Sequence, residues 1–337
     1  MKERIYYWDN LKCLLIFFVI LGHFLIPVVN HGRSIQTVYY FIYLFHMPAF
    51  IFVSGYFAKY YMKKNVPDVS KLLGFLILFI IFKGLLWGLN SLLQGKIATF
   101  DIFSESGAPW YLLGMFAWYM FLPLFAKFKP WVSLTMAICA GLIVGFSNQI
   151  GPFFALSRIF VFFPFFLAGY FFPEGKEEAL TKKRNKYVAV VFLLVLLLGI
   201  FFKVGTISTW QGLIYGNRPY VILNAVASES KVMMVRLFWY VLALTITFAI
   251  MALIPKKRNA ISYIGSRTLS IYILHILIRQ VFSHYNIYDL LPVGGVGLLV
   301  FCVIVSAIVL VLLSEKRTFL LFQRVFKIKY DMFMNME

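Results

Sequence analysis

The sequence predicts an all-α integral membrane protein of about ten transmembrane helices, with both termini in the cytoplasm. Three observations carry this. Of the 337 residues, 62% are apolar and only 13% charged, and the mean hydropathy is +0.85, a composition that excludes an ordinary water-soluble domain. The apolar residues gather into runs near the length needed to cross about 30 Å of hydrocarbon, roughly 20 residues of helix. The basic residues sit in short clusters between these runs, and alternate clusters are rich and poor.

Taken in order, the runs are 11–29, 37–62, 72–93, 108–126, 130–146, 156–172, 187–203, 232–254, 262–284 and 292–314. The first, flanked by Arg4 and Lys12, has the outline of a signal peptide. No small-residue cleavage site follows it and nine further apolar segments do, so it reads as a retained span. Assigning the loops to alternate sides places 21 Lys and Arg on one side, from Lys2 and Arg4 through Lys59, Lys63, Lys64 and Lys71 to Lys327 and Lys329. Only Arg33, Lys96, Arg218 and Lys231 fall on the other. The basic side is cytoplasmic, which fixes an even number of spans and accounts for the net charge of +19. A nucleic-acid partner would need a basic soluble face, and no segment is available to carry one. The organisation is a membrane unit over 1–314 and a basic cytoplasmic tail over 315–337. Cys13, Cys139 and Cys302 each lie inside an apolar run with no paired spacing, so neither a disulfide framework nor a metal site is expected.

Seven cations remain inside or at the ends of the runs: Lys12, Lys83, Arg158, Lys203, Arg236, Arg267 and Arg279. Lys203, Arg236 and Arg267 are close enough to helix ends to snorkel. No carboxylate lies well inside a run, with Asp9 at the inner boundary of the first, so buried acid partners are not expected. A basic, acid-free interior suits an anionic ligand. It argues against a proton- or sodium-coupled transporter, which commonly relies on intramembrane Asp or Glu.

Depth brings the histidines together. His23 lies 12 residues past Leu11 and His46 lies 9 past Thr37 on a helix of opposite direction. These are roughly 18 Å from the inner face and 14 Å from the outer face, so the two are expected to face each other. His275 reaches a similar depth. Lys12 and His23 are 11 residues apart, about three full turns, and share one helix face with roughly 16 Å between them. Tyr272, His275 and Arg279 share another face; a polar stripe that seals the bundle is the plainer reading of it. The outside loop 204–231 holds Trp210, Gln211 and Tyr215, aromatic and amide groups that suit a sugar surface or an interfacial anchor.

The run Tyr7-Trp8-Asp9-Asn10-Leu11-Lys12, followed by Val19-Ile20-Leu21-Gly22-His23, resembles the opening of the membrane acyltransferase-3 family, a basic residue, ten positions and a His. The segment from Phe45-His46-Met47-Pro48 to Ser54-Gly55-Tyr56-Phe57 is similar to the second-span signature of that family. Arg158, Phe162, Phe165 and Gly169 resemble its sixth span, Ser270 to His275 its penultimate span, and Trp110-Tyr111-Leu112 the start of its fourth. In length and opening the chain is most similar to the short sugar O-acetylases, the fucose 4-O-acetylase-like and capsular polysaccharide O-acetyltransferases. The secreted-esterase-like extension found in some members is not expected.

The resemblance implies an O-acyltransferase of the cell membrane. It takes acetyl from cytoplasmic acetyl-CoA, as an acyl-CoA co-substrate without a metal, to a hydroxyl of a cell-envelope polysaccharide, capsule or glycolipid outside the lipid bilayer. On that reading His23 is the base, His46 supports it and Arg158 stabilises the oxyanion. Lys12, Asp9 and Lys83 belong to donor binding, and Trp110, Tyr272, His275, Arg279 and Trp210 to acceptor binding, with Ser54 a weaker candidate. A general-base route and an acyl-histidine route stay open. A polysaccharide or lipid-linked sugar transporter is the rival reading, since the same basic interior would guide an anionic glycan.

Overall fold

A computed structural model describes residues 6–63, 66–67, 69–105, 107–151, 153–291 and 293–326. Lys2, Arg4, Lys64, Lys327, Lys329 and the end of the tail lie outside the described residues. Each expected run contains a helix. They are α1 (Tyr6–Leu25), α2 (Arg33–Ala58), α3 (Val69–Gln94), α4 (Trp110–Phe125), α5 (Pro130–Ile143) and α6 (Leu156–Phe171). After a one-turn α7 (Glu177–Leu180) come α8 (Lys183–Thr209), the short α9 (Gln211–Tyr215), α10 (Glu229–Leu253), α11 (Ala260–Gly265), α12 (Thr268–His284), α13 (Gly295–Ser314) and α14 (Lys316–Phe326). Strands β1 (Met62–Lys63) and β2 (Val66–Pro67) form a small antiparallel hairpin between α2 and α3.

Six helices, α1, α2, α3, α8, α10 and α13, are long and apolar enough to cross a membrane, and the chain is a multi-pass membrane protein. The other four are shorter, 16 residues in α4 and α6, 14 in α5 and 17 in α12. The ninth run is divided in two, because residues 266–267 break the helix and leave α11 apart from α12. Apolar side chains face outward along α8 (Leu194, Leu198, Phe202) and α13 (Ile304, Ile308, Val311). In water these would form a large exposed apolar surface; in a bilayer they face solvent of their own kind.

Helix α2 is the central element and packs on α1, α6, α8, α10 and α13. Its crossing with α6 depends on two glycines. A Cβ on Gly55 would stand 1.9 Å from the Phe166 carbonyl oxygen, and one on Gly169 would stand 1.8 Å from the Phe52 carbonyl oxygen. This is small-residue packing that lets two membrane helices touch backbone to backbone. Pro48 lies inside α2 and has no N–H for the carbonyl four residues before it. That carbonyl, on Leu44, instead accepts from the indole Nε1 of buried Trp239 on α10, at 3.1 Å. The opening motif also has a structural task. Asn10 donates to the carbonyls of Pro255 and Lys257 and accepts from Ser262 Oγ at 2.6 Å, tying α1 to α11.

The three cations expected near helix ends are placed differently. Arg236 does not snorkel: it is fully buried, 4.6 Å from the Tyr220 ring, and donates to the Gly141 carbonyl. Lys203 is exposed where α8 leaves helical geometry. Arg267 caps the C-terminal end of α13, donating to the Ser314 carbonyl at 2.6 Å with Tyr263 and Phe319 on its faces.

Candidate active site

The segments around α4 and α6 bring the first site residues into place. Asp101 accepts from the backbone N–H groups of Phe103 and Ser104, and Phe154 N–H donates to the Phe103 carbonyl at 2.7 Å. The chain then enters α6 through Phe154 and Ala155, both with positive φ (46° and 53°), a conformation that costs side-chain-bearing residues energy and is held by its surroundings. This turn sets Arg158 in the first turn of α6. Its guanidinium lies 5.2 Å from the Trp110 ring, and its Nε donates to the Tyr215 carbonyl.

Lys83 shows why an acid-free interior was the wrong expectation. Its ammonium binds the carbonyls of Asp101 and Ser104 at 2.6 and 2.7 Å and lies 3.4 Å from Glu105 Oε2. Glu105 belongs to the segment before α4, yet its side chain is buried, a placement that a ruler along the chain does not register. Burial pushes its carboxyl above the usual range, with Lys83 opposing the shift. Glu105 also accepts from Gly107 N–H at 2.6 Å. Lys12 likewise has an acid partner, Asp9, at 2.9 Å.

Between α1, α2, α4, α6 and α12 lies a cavity of about 380 Å³, within the range of small-molecule sites. His23, His46, Arg158, Trp110, Tyr272, His275's neighbour Ile276 and Arg279 help to line it, together with Tyr43, Tyr215 and Ala108. Tyr272 OH donates to the Ala108 carbonyl. Ser54 is turned elsewhere, donating to the Phe50 carbonyl and accepting from Tyr111 OH. Lys12, Asp9, Lys83 and Trp210 are not among the lining residues; Trp210 packs at the junction of α8 and α9.

The histidine pairing also differs from expectation. His23 Nδ1 is 2.8 Å from His275 Nε2, while His46 Nδ1 bonds the Ile42 carbonyl and its ring packs against Tyr43. His23 lies two residues from the end of α1, so α12 meets it where α2 does not. Proton positions follow from the partners. His275 Nδ1 lies 2.9 Å from the Ile271 carbonyl, which accepts only, so this nitrogen carries the proton. Neutral His275 then has a bare Nε2, and His23 must donate to it through Nδ1–H. What remains on neutral His23 is a bare Nε2, the basic atom of a half-buried ring that lines the cavity. A backbone carbonyl thus sets the tautomer of one imidazole and, through it, that of the next.

Sequence reasoning missed Tyr43. Tyr39, Tyr43 and His46 follow helical spacing on α2, a signal present but absorbed into the general abundance of aromatics. Tyr215, read from the sequence as part of loop 204–231, joins the cavity by tertiary contact, with its hydroxyl bonded to that of Tyr39 and to Gln211.

Among known proteins, the acyltransferase domain model matches residues 5–315. Nodulation protein NolL of Sinorhizobium fredii (strain NBRC 101917 / NGR234) is 27% identical over 199 residues, 53% of this chain and 52% of that protein. The similarity thus spans about half of each. No solved structure matches. With nearly all of its length taken in by the domain model, the chain belongs to the acyltransferase-3 family of membrane enzymes.

Proposed function

We propose that the protein is an O-acyltransferase that moves an acyl group, acetyl from cytoplasmic acetyl-CoA, to a hydroxyl of a polysaccharide or glycolipid on the far side of the plasma membrane. The ten helices are its spans, and both termini are cytoplasmic. The observation that carries the reading is that His23, hydrogen-bonded to His275, lines one cavity together with Arg158 and Arg279.

In this mechanism the acceptor oxygen attacks the thioester carbonyl carbon while its proton passes to Nε2 of His23. The carbonyl oxygen gains charge, which Arg158 stabilises. When the C–S bond breaks, His23 returns the proton to the departing thiolate, leaving ester and free thiol. The same bare Nε2 also serves the alternative order, in which it attacks the thioester itself and an acyl-imidazole is passed to the acceptor. His275 positions the base, and His46 and Trp110 shape the cavity beside it. Lys12 and Asp9 mark the donor's entry on the cytoplasmic side, roughly 16 Å along α1 from His23. Lys83 serves at one remove by holding the segment that leads to Gly107 and Ala108.

The test is the O-acetyl content of the cell-surface glycan, by proton NMR, in cells with the intact gene, a deletion, or a His23→Ala gene whose product inserts normally. Loss of the acetyl signal in both altered strains, with polymer exported in normal amount, is expected. Unchanged acetylation with polymer retained inside the cell would reject the reading in favour of transport.

A further inference from the structure

Beside the catalytic cavity lies a second one, of about 420 Å³, between the outer ends of α3 and α12. Its lining is Asn90, Gln94, Arg279, Gln280, Ser283 and His284, with Leu93 the one apolar residue. Arg279 and Gln280 line both cavities and form their common wall.

Three buried polar atoms here have no partner among the described residues: Arg279 Nε, Gln280 Oε1 and Ser283 Oγ. These atoms are closed off from solvent behind the lining, so a ligand in the groove meets its other polar groups, the amides of Asn90 and Gln94, the terminal nitrogens of Arg279 and the ring of His284. Gln280 Nε2 donates to Asn90 Oδ1 at 3.1 Å. With the amides assigned by that bond, Asn90 keeps an NH₂ to donate, and Gln94 adds a second amide, donor and acceptor together, to the lining. The groove therefore offers acceptors and donors side by side, the pairing a sugar hydroxyl needs, since it both gives and takes a hydrogen bond. Among the described residues Arg279 makes no ion pair, and its planar fork matches a carboxylate.

We infer that this groove is an acceptor subsite that holds an acidic pyranose, its carboxylate on Arg279 and its hydroxyls on Asn90 and Gln94. The inference rests on the acyl-transfer reading for the role of the bound sugar, though not for its binding. A saccharide seated there reaches the catalytic cavity across the shared wall, so the neighbouring residue of the glycan presents its hydroxyl to His23. A nearly apolar-free groove does not suit an acyl or lipid chain.

The experiment uses the full chain in nanodiscs. Methyl β-glucuronide and its neutral twin methyl β-glucoside are the probes, with binding read by saturation-transfer NMR. Separately, acetyl-CoA-dependent acetylation of glucuronide oligosaccharides is followed for the intact, His23→Ala, Arg279→Gln and Ser283→Trp proteins. The glucuronide is expected to bind at least tenfold more tightly than the glucoside, to lose that preference in Arg279→Gln, and to lose binding in Ser283→Trp. It should keep both in His23→Ala. Equal binding of the two glycosides, or binding that both groove variants leave intact, overturns the subsite. If the intact protein binds glucuronide in the groove yet transfers no acetyl to any acceptor, the subsite stands and the acyl-transfer reading falls. If transfer proceeds with the acceptor KM unchanged in Ser283→Trp and Arg279→Gln, the subsite falls and acyl transfer stands.

Discussion

Replacing His275 with Ala removes the acceptor for Nδ1–H of His23 and leaves the base itself in place. The hydrogen bond at 2.8 Å favours the tautomer with a bare Nε2. A net hydrogen-bond contribution of about 0.5–1.5 kcal/mol corresponds to roughly a 2- to 13-fold preference. The ring also loses its orientation, and a positioned base as a whole contributes about 10²- to 10⁴-fold. His275→Ala should therefore lower kcat by about 10- to 100-fold, less than His23→Ala, with the KM for acetyl-CoA unchanged. The assay is thiol release from acetyl-CoA with saturating acceptor, on protein purified in nanodiscs. The sharper measurement is the double variant. If the two imidazoles act as one unit, His23→Ala with His275→Ala falls no further than His23→Ala alone. His275→Gln, whose amide oxygen reaches toward the place of the lost Nε2, should recover part of the rate. A correctly inserted His275→Ala protein with kcat within twofold of the parent, or losses that multiply in the double variant, would refute the tautomer argument.

Placing Val at Gly169 puts a Cβ 1.8 Å from the Phe52 carbonyl oxygen and forces α2 and α6 apart. Overpacking of this kind costs about 1–3 kcal/mol, so thermal unfolding in detergent, followed by intrinsic fluorescence, should move to lower temperature; an unchanged Tm would count against the crossing. Trp239→Phe strands the Leu44 carbonyl that Pro48 leaves free, a loss of about 1–3 kcal/mol. Adding Pro48→Ala restores an N–H at that position and should return much of the stability. The raised carboxyl of Glu105 stabilises the segment before α4 fully below the ordinary carboxylate range, and this contribution is lost as pH rises through the raised value. Hydrogen exchange over 101–109, corrected for intrinsic rates, should show protection falling in that direction, and Glu105→Gln should flatten the profile. In a cysteine-free chain, Lys96→Cys and Lys257→Cys should react with a membrane-impermeant maleimide from opposite sides of the membrane; reaction from one side would break the ten-span topology.

The sequence by itself determined the solvent. Apolar runs near membrane length, and basic clusters confined to alternate loops, express a free energy that depends on composition and order along the chain, so no contact is needed to read them. It also located six residues of the cavity's wall, because His23, His46, Arg158, Trp110, Tyr272 and Arg279 are polar or aromatic groups whose burial in a bilayer demands a reason. Where sequence reasoning went wrong, the deciding quantity was lateral, between helices, or belonged to a segment that folds back. Depth counted along one helix gives height and no direction, so it set His46 opposite His23, whereas the docking of α12 on α1 supplied His275. Glu105 reaches Lys83 from outside any span. Arg236 is held by an aromatic loop residue, Tyr220, and a carbonyl on α5. Glycines 55 and 169 are visible in the sequence, but their purpose is not, since a missing Cβ acquires meaning only when another backbone occupies its place. Tertiary structure alone decided which imidazole holds which, because a tautomer is fixed by a partner within about 3 Å, and that partner comes from 252 residues away.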